Sequence, residues 1–300
     1  MNRLRNRPEE RATIPGLRVV TETHFETDFP AMRERSSVDT MRAFYAGDRY
    51  RTDSGEGPET GCRIERRDLR QIIEVLGKQH RYRLLPLFEV ATEEEKEQFA
   101  RSGRAWQTRH ATDTKHPRLE YPVDITYERT EEQKTFFDMT ATRWTICRTE
   151  EFRDTSAQPM RPDRESKETT DAWYLDAATV VARFPLYARK LLYQPRAMVV
   201  MNNQHPVVEH HGERPHGLCM LSESKAHGVV HLRGGETRES THSRSTRIVE
   251  LSEEELPLTL FEPPSGFREI PVYPSRWAMW RSDLRRFLQR RGFAPRAAHR

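Results

Sequence analysis

The sequence predicts a mainly β protein with minor α structure, built on one large curved antiparallel sheet. Three observations predict it. Short runs of alternating apolar and polar residues recur along most of the chain. Turn-forming residues separate many of these runs at hairpin spacing. The strand–helix alternation that marks a parallel sheet is absent from the pattern.

The elements follow in order. Residues 1–15 are polar and basic and read as a disordered lead-in. They contain no apolar stretch of the length a signal peptide needs, so none is expected. The main domain spans 16–272. Leu17, Val19, Thr21, Thr23 and Phe25 share one face of a first strand. A strand over about 37–45 meets Gly47-Asp48, a turn pair, and returns from Arg49. Residues 53–61 form a loop. Residues 63–76 and 79–87 form the next β-rich region, turning at Gly77-Lys78. Thr92 to Glu95 is a capping box that opens a helix to about Arg101. Val123, Ile125 and Tyr127 alternate in a strand, 131–134 turns the chain, and 135–149 runs back. Residues 154–170 read as a polar linker. A short helix is expected over 177–183, ending near Pro185, and an apolar strand over 197–201. Three strands follow, over 217–221, 229–232 and 244–251. Ser252 to Glu255 reads as a second capping box. A rigid turn at 261–267 leads to a last strand over 268–272.

Composition limits the function classes. Of the 300 residues, 32% are charged, yet the net charge is only +4. Arginine supplies 43 of the 50 basic residues. With 46 acids present, this predicts a surface of arginine–carboxylate pairs rather than a nucleic-acid footprint. A mean hydropathy of -0.89 excludes a polytopic helical membrane protein. Cys62, Cys147 and Cys219 lie far apart, without zinc-ribbon spacing, and leave disulfide status open.

Catalytic motifs are sparse. GxSxG, P-loop, GxGxxG and HExxH patterns do not occur. Ser222 to Lys225 matches SxxK without the elements that normally accompany it. The densest metal-capable stretch is 205–216. His205, Glu209, His210 and His211 are its candidate ligands, and a metal-dependent hydrolase is one alternative function, a structural or interaction module with an arginine-rich helix the other. Pro206, Gly212 and Pro215 argue against a helix there, so surface histidines on a polar turn are expected. In a strand His210 and His211 would point to opposite faces. His227 and His231 form a weaker pair. No cofactor is expected, and no catalytic residue is assigned.

Three segments resemble a known group. Residues 42–51 (RAFYAGDRYR) are similar to a hairpin of exported half-barrel proteins related to the lipoprotein carrier LolA. Residues 168–176 (ETTDAWYLD) and the ending that runs from 248 to 267, with its LFEPPSGF, complete the likeness. The resemblance implies an open half-barrel with a helical lid. It implies a non-enzymatic carrier of lipid or lipoprotein acyl chains, in the periplasm or cell envelope. Candidate wall residues for such a ligand are Leu17, Val19, Phe44, Trp144, Ile146, Val199 and Val249.

Residues 273–300 read as a basic amphipathic helix. Trp277, Trp280, Leu284 and Phe287 recur at helical spacing, beside Arg281, Arg285 and Arg286. From 275 to the end there are eight arginines and one acid, a local charge of +7. This segment is expected either to dock on the sheet or to contact an anionic membrane or a partner, with no nucleic acid expected.

Overall fold

The structure is a computed structural model, and it describes residues 12–29, 32–55, 60–87, 119–153, 162–192, 204–232 and 235–271. The strands are β1 (Thr13–Phe29), β2 (Met32–Ala46), β3 (Arg49–Ser54), β4 (Cys62–Arg66), β5 (Gln71–Leu76), β6 (Arg81–Pro86), β7 (Leu119–Phe136) and β8 (Met139–Phe152). They continue as β9 (Asp163–Asp176), β10 (Gln204–His211), β11 (Gly217–His231), β12 (Thr237–Pro257) and β13 (Arg268–Glu269). Two short helices, α1 (Ala177–Arg183) and α2 (Ala188–Leu191), sit between β9 and β10.

Among the described residues all thirteen strands join one sheet, in the order β10-β7-β8-β9-β11-β12-β1-β2-β3-β4-β5-β6-β13. The sheet is open and does not close into a barrel. It has two blocks. One is the meander β1 to β6, and the other runs from β7 to β11. The long strand β12 joins them, pairing with β11 on one side and β1 on the other. Most pairings are antiparallel, as expected. The edges add two parallel ones, β10 on β7 and β13 on β6.

Two apolar clusters hold the sheet. The larger gathers Leu17, Val19, Leu175, Met220 and Ile248 with Val180, Phe184, Tyr187 and Leu191 from the α1–α2 segment. Asp176 caps α1 by accepting from the backbone N–H of Thr179 at 2.6 Å, and β-branched Val180 turns inward to full burial. The smaller cluster packs Phe44, Ile64, Ile73 and Leu256 around Phe261, which lies in the 3-10 turn Leu258–Phe261. Because side chains alternate along a strand, Ala43 and Phe44 serve different clusters.

Several expectations are corrected. The 131–134 turn is instead a register break within β7, between Arg129 and Gln133. Thr130 closes it, donating from its hydroxyl to the carbonyl of Arg143 at 3.2 Å. The chain turns at Phe137-Asp138. Residues 163–170 of the expected linker are strand, because β8 and β11 flank them and satisfy their backbone on both sides. Ser252 to Glu255 is strand as well, since pairing with Pro15 to Arg18 supplies the backbone bonds that a helix would have offered. The strands expected over 217–221 and 229–232 are one, β11. The His205–His216 stretch is an edge strand as far as His211, rather than a turn. β1 starts at Thr13, three residues before the expected boundary. The predicted helix over 92–101, the strand over 197–201 and the C-terminal helix lie outside the described residues.

Candidate functional site

The wall beneath α1 and α2 is the first candidate site. Leu17 is fully buried there and Val19 nearly so. The two helices lie on this wall as a lid. Their polar attachments are ion pairs at the rim. Arg183 reaches Glu253 at 3.2 Å, and Lys190 reaches Glu65 at 2.5 Å. Lys190 also lies over the ring of Tyr50, 5.0 Å from its centroid. Tyr50 in turn packs on Tyr45, with centroids 4.8 Å apart. Burial pushes the hydroxyls of Tyr45 and Tyr50 above their ordinary range, so both remain neutral donors under the lid.

The other expected wall residues are dispersed. Phe44 belongs to the smaller cluster around Phe261. Trp144 is buried on β8 and Ile146 is partly buried two residues further along. Val249 is 37% exposed beside a register break of β12 against β1. Val199, Trp277, Trp280, Arg281, Arg285, Arg286 and Phe287 lie outside the described residues.

The sheet also carries polar recesses. On β1, Glu22, His24 and Glu26 point away from Leu17 and Val19, because successive side chains alternate. A recess of about 500 Å³ lies among Glu26, Asp28, Lys167, Lys225 and His227. A neighbouring one of about 480 Å³ shares Glu26, Lys225 and Ser243 with it. A third, of about 340 Å³, lies among Glu22, Lys134, Glu223 and Arg247. Each mixes charges of both signs.

The metal-capable stretch is resolved into two faces. Glu209 stands opposite Asp124 in the parallel β10–β7 register, and His211 follows two residues on. One ligand atom from each of Asp124, Glu209 and His211 lies within 4.8 Å of the others. His210 points the other way. Its Nδ1 shares a 2.9 Å hydrogen bond with the hydroxyl of Tyr127, and the two rings stack at 5.8 Å. The side chain of His205 lies outside the described part of the chain. Asp124 was not among the expected ligands. A parallel neighbour more than eighty residues away leaves no signal in local spacing.

The remaining motifs separate. Ser222 and Lys225 are three residues apart on β11, so they face opposite sides and SxxK is not assembled. His227 and His231 pair with different acids, Glu239 at 4.0 Å and Glu165 at 3.7 Å. All three cysteines are free. Burial pushes the Cys62 and Cys219 thiols up to about 11, which favours the protonated form at neutral pH. The arginine-rich surface is paired as expected, and often within one strand. Arg51–Asp53 and Arg148–Glu150 lie within β3 and β8 at i, i+2 spacing, which puts both side chains on one face, and Arg66 at the end of β4 reaches Asp68 in the turn that follows. The recurring R-x-[DE] pattern was the readable signal for these pairs.

No family model matches the chain, and no curated protein matches it. Solved structures that resemble it at low similarity include the following two. An uncharacterized conserved protein from Thermus thermophilus is 6% identical, with a TM-score of 0.30 over 84% of this chain and 90% of its own. A LolA superfamily protein from Nitrosomonas europaea is 8% identical, with a TM-score of 0.22 over 84% of this chain and 92% of its own.

Proposed function

We propose that the protein is a non-enzymatic carrier that holds an acyl chain on the wall now covered by α1 and α2. The observation that supports this is the construction of the lid. Seven-residue and four-residue helices place Val180, Phe184, Tyr187 and Leu191 on an apolar wall, and their ion pairs lie at the rim. Apolar burial is non-directional, so an acyl chain can take the lid's place against the same side chains. Each buried methylene contributes about 0.8 kcal/mol, so a dozen of them supply roughly 10 kcal/mol toward displacing the lid. The neutral hydroxyls of Tyr45 and Tyr50 then stand near the displaced helix, ready to meet a polar head group. In this reading the protein works beside an envelope membrane, and the basic segment 273–300 is its contact with anionic lipid.

Titration with a fluorescent fatty acid tests the proposal. The wild type is expected to bind one molecule. An Arg183→Ala/Lys190→Ala variant loses both rim pairs, populates the open lid more, and binds about tenfold more tightly. Failure of both proteins to bind overturns the reading. So does binding that is unchanged in the variant.

A further inference from the structure

We propose that Asp124, Glu209 and His211 form a site for a divalent transition-metal ion at the edge of the sheet, with zinc the best fit. The inference does not depend on the carrier reading.

The backbone brings the three together. Parallel pairing of β10 with β7 sets Glu209 directly beside Asp124. Two residues along β10, His211 returns to the same face. Its Nε2 lies 3.6 Å from Asp124 Oδ1. The three ligand atoms already fall within 4.8 Å of one another. In a tetrahedral zinc site, bonds of about 2.0–2.2 Å set donors roughly 3.4 Å apart. Closing the difference takes about an ångström of side-chain rotation. All three residues are exposed and free to make it.

A second observation fixes the register. The His210–Tyr127 pair locks the opposite face of the same two strands. A one-residue slip of β10 would exchange His210 for His211 and break both arrangements. Gly212, at a φ of 86°, then turns the chain away immediately after the last donor, with no room for a side chain against the carbonyl of Tyr127.

The donor set selects the ion. One imidazole and two carboxylates suit zinc and its neighbours in the first transition row. Calcium takes six to eight oxygen ligands, more than this edge presents. Three protein donors leave a fourth position to water. The bound ion would staple β10, which among the described residues has a strand neighbour on one side only, to β7.

Calorimetric titration of the full chain with zinc chloride tests the site, with cobalt absorption as a second readout. One zinc per chain is expected, together with a tetrahedral cobalt band. His211→Ala and Asp124→Asn are each expected to weaken binding at least tenfold, while His210→Ala stays within about twofold of wild type. Circular dichroism checks that each variant is folded, and Glu209→Gln replaces any that is not, with the same tenfold loss expected. Absence of zinc binding by the wild type overturns the proposal. So does equal affinity in the site variants, or a loss on His210→Ala as large as that on His211→Ala.

Discussion

Arg66 shows how this chain uses its arginines. Its side chain is only 7% exposed. Nε donates to Asp68 Oδ1 at 2.8 Å and Nη2 to Oδ2 at 2.7 Å, a bidentate fork. Nη1 pairs with Glu262 and reaches the carbonyl of Phe261, tying β4 to the 3-10 turn. The hydrogen bonds from Arg66 hold the Asp68 carboxyl below its ordinary range, with Arg49 adding to the effect. A lowered folded value stabilises the protein above the unfolded pKa, and that contribution fades as pH falls through the folded one. Asp68→Asn is therefore expected to cost about 1 kcal/mol at pH 7, modest because the carboxylate is partly solvated. The gap should narrow as the pH falls through and below the ordinary aspartate range. Urea midpoints of both proteins across that range check it, and a gap that widens in acid refutes it. The balance of 50 basic and 46 acidic residues made pairing legible in the sequence. Asp68 lies only two residues on, in the turn after β4, so it was near enough for local sequence to offer it as a partner. Glu262, 196 residues away, was not, because only the fold brings it near.

At the scale of elements, legibility tracked how local the deciding forces were. The Gly47 turn and the 177–183 helix were readable because a glycine at a φ of 53° and an aspartate cap decide them nearby. The Ser252 capping box misled because a neighbouring strand outcompeted a local bond. The β7–β8 turn was missed for the opposite reason. Phe137 and Asp138 take φ values of 46° and 62°, the region of a type I′ hairpin, without the usual Asn-Gly pair. Phenylalanine is strained there. Replacing the pair, Phe137→Asn with Asp138→Gly, is expected to stabilise the protein by about 1 kcal/mol. A rise in the urea midpoint is the expected result. A fall would mean that Phe137 contributes more through packing than its backbone costs. The candidate sites follow the same rule. Glu209 and His211 were readable as metal-capable residues, while Asp124 entered through a parallel register that no short motif encodes.

For the whole molecule the seam between the two blocks matters most. β12 lies against β1 over Thr13–Asp28 and against β11 over Leu221–His231. An internal strand holds hydrogen bonds on both sides, and an edge strand on one. Amides of β1 and β12 are therefore expected to exchange with solvent most slowly, and those of β10 and β13 fastest. Hydrogen-exchange mass spectrometry reads this directly. Seam exchange as fast as edge exchange would mean that the blocks open independently. The sequence foretold an open β sheet, but not which strand would join its halves, because alternation describes a strand and says nothing about its partner.

That seam has a consequence during synthesis. Arg18 pairs with Ser252. At about 5–20 residues per second, a ribosome needs roughly 10–50 s to make the chain between them. β2 can cover one flank of β1 within moments of emerging. The other flank, with its bare N–H and C=O groups, must wait until β12 has been translated. Until then that border of β1 is open to pairing with another chain, so the interval between the two strands is when a nascent chain of this protein is most exposed to aggregation.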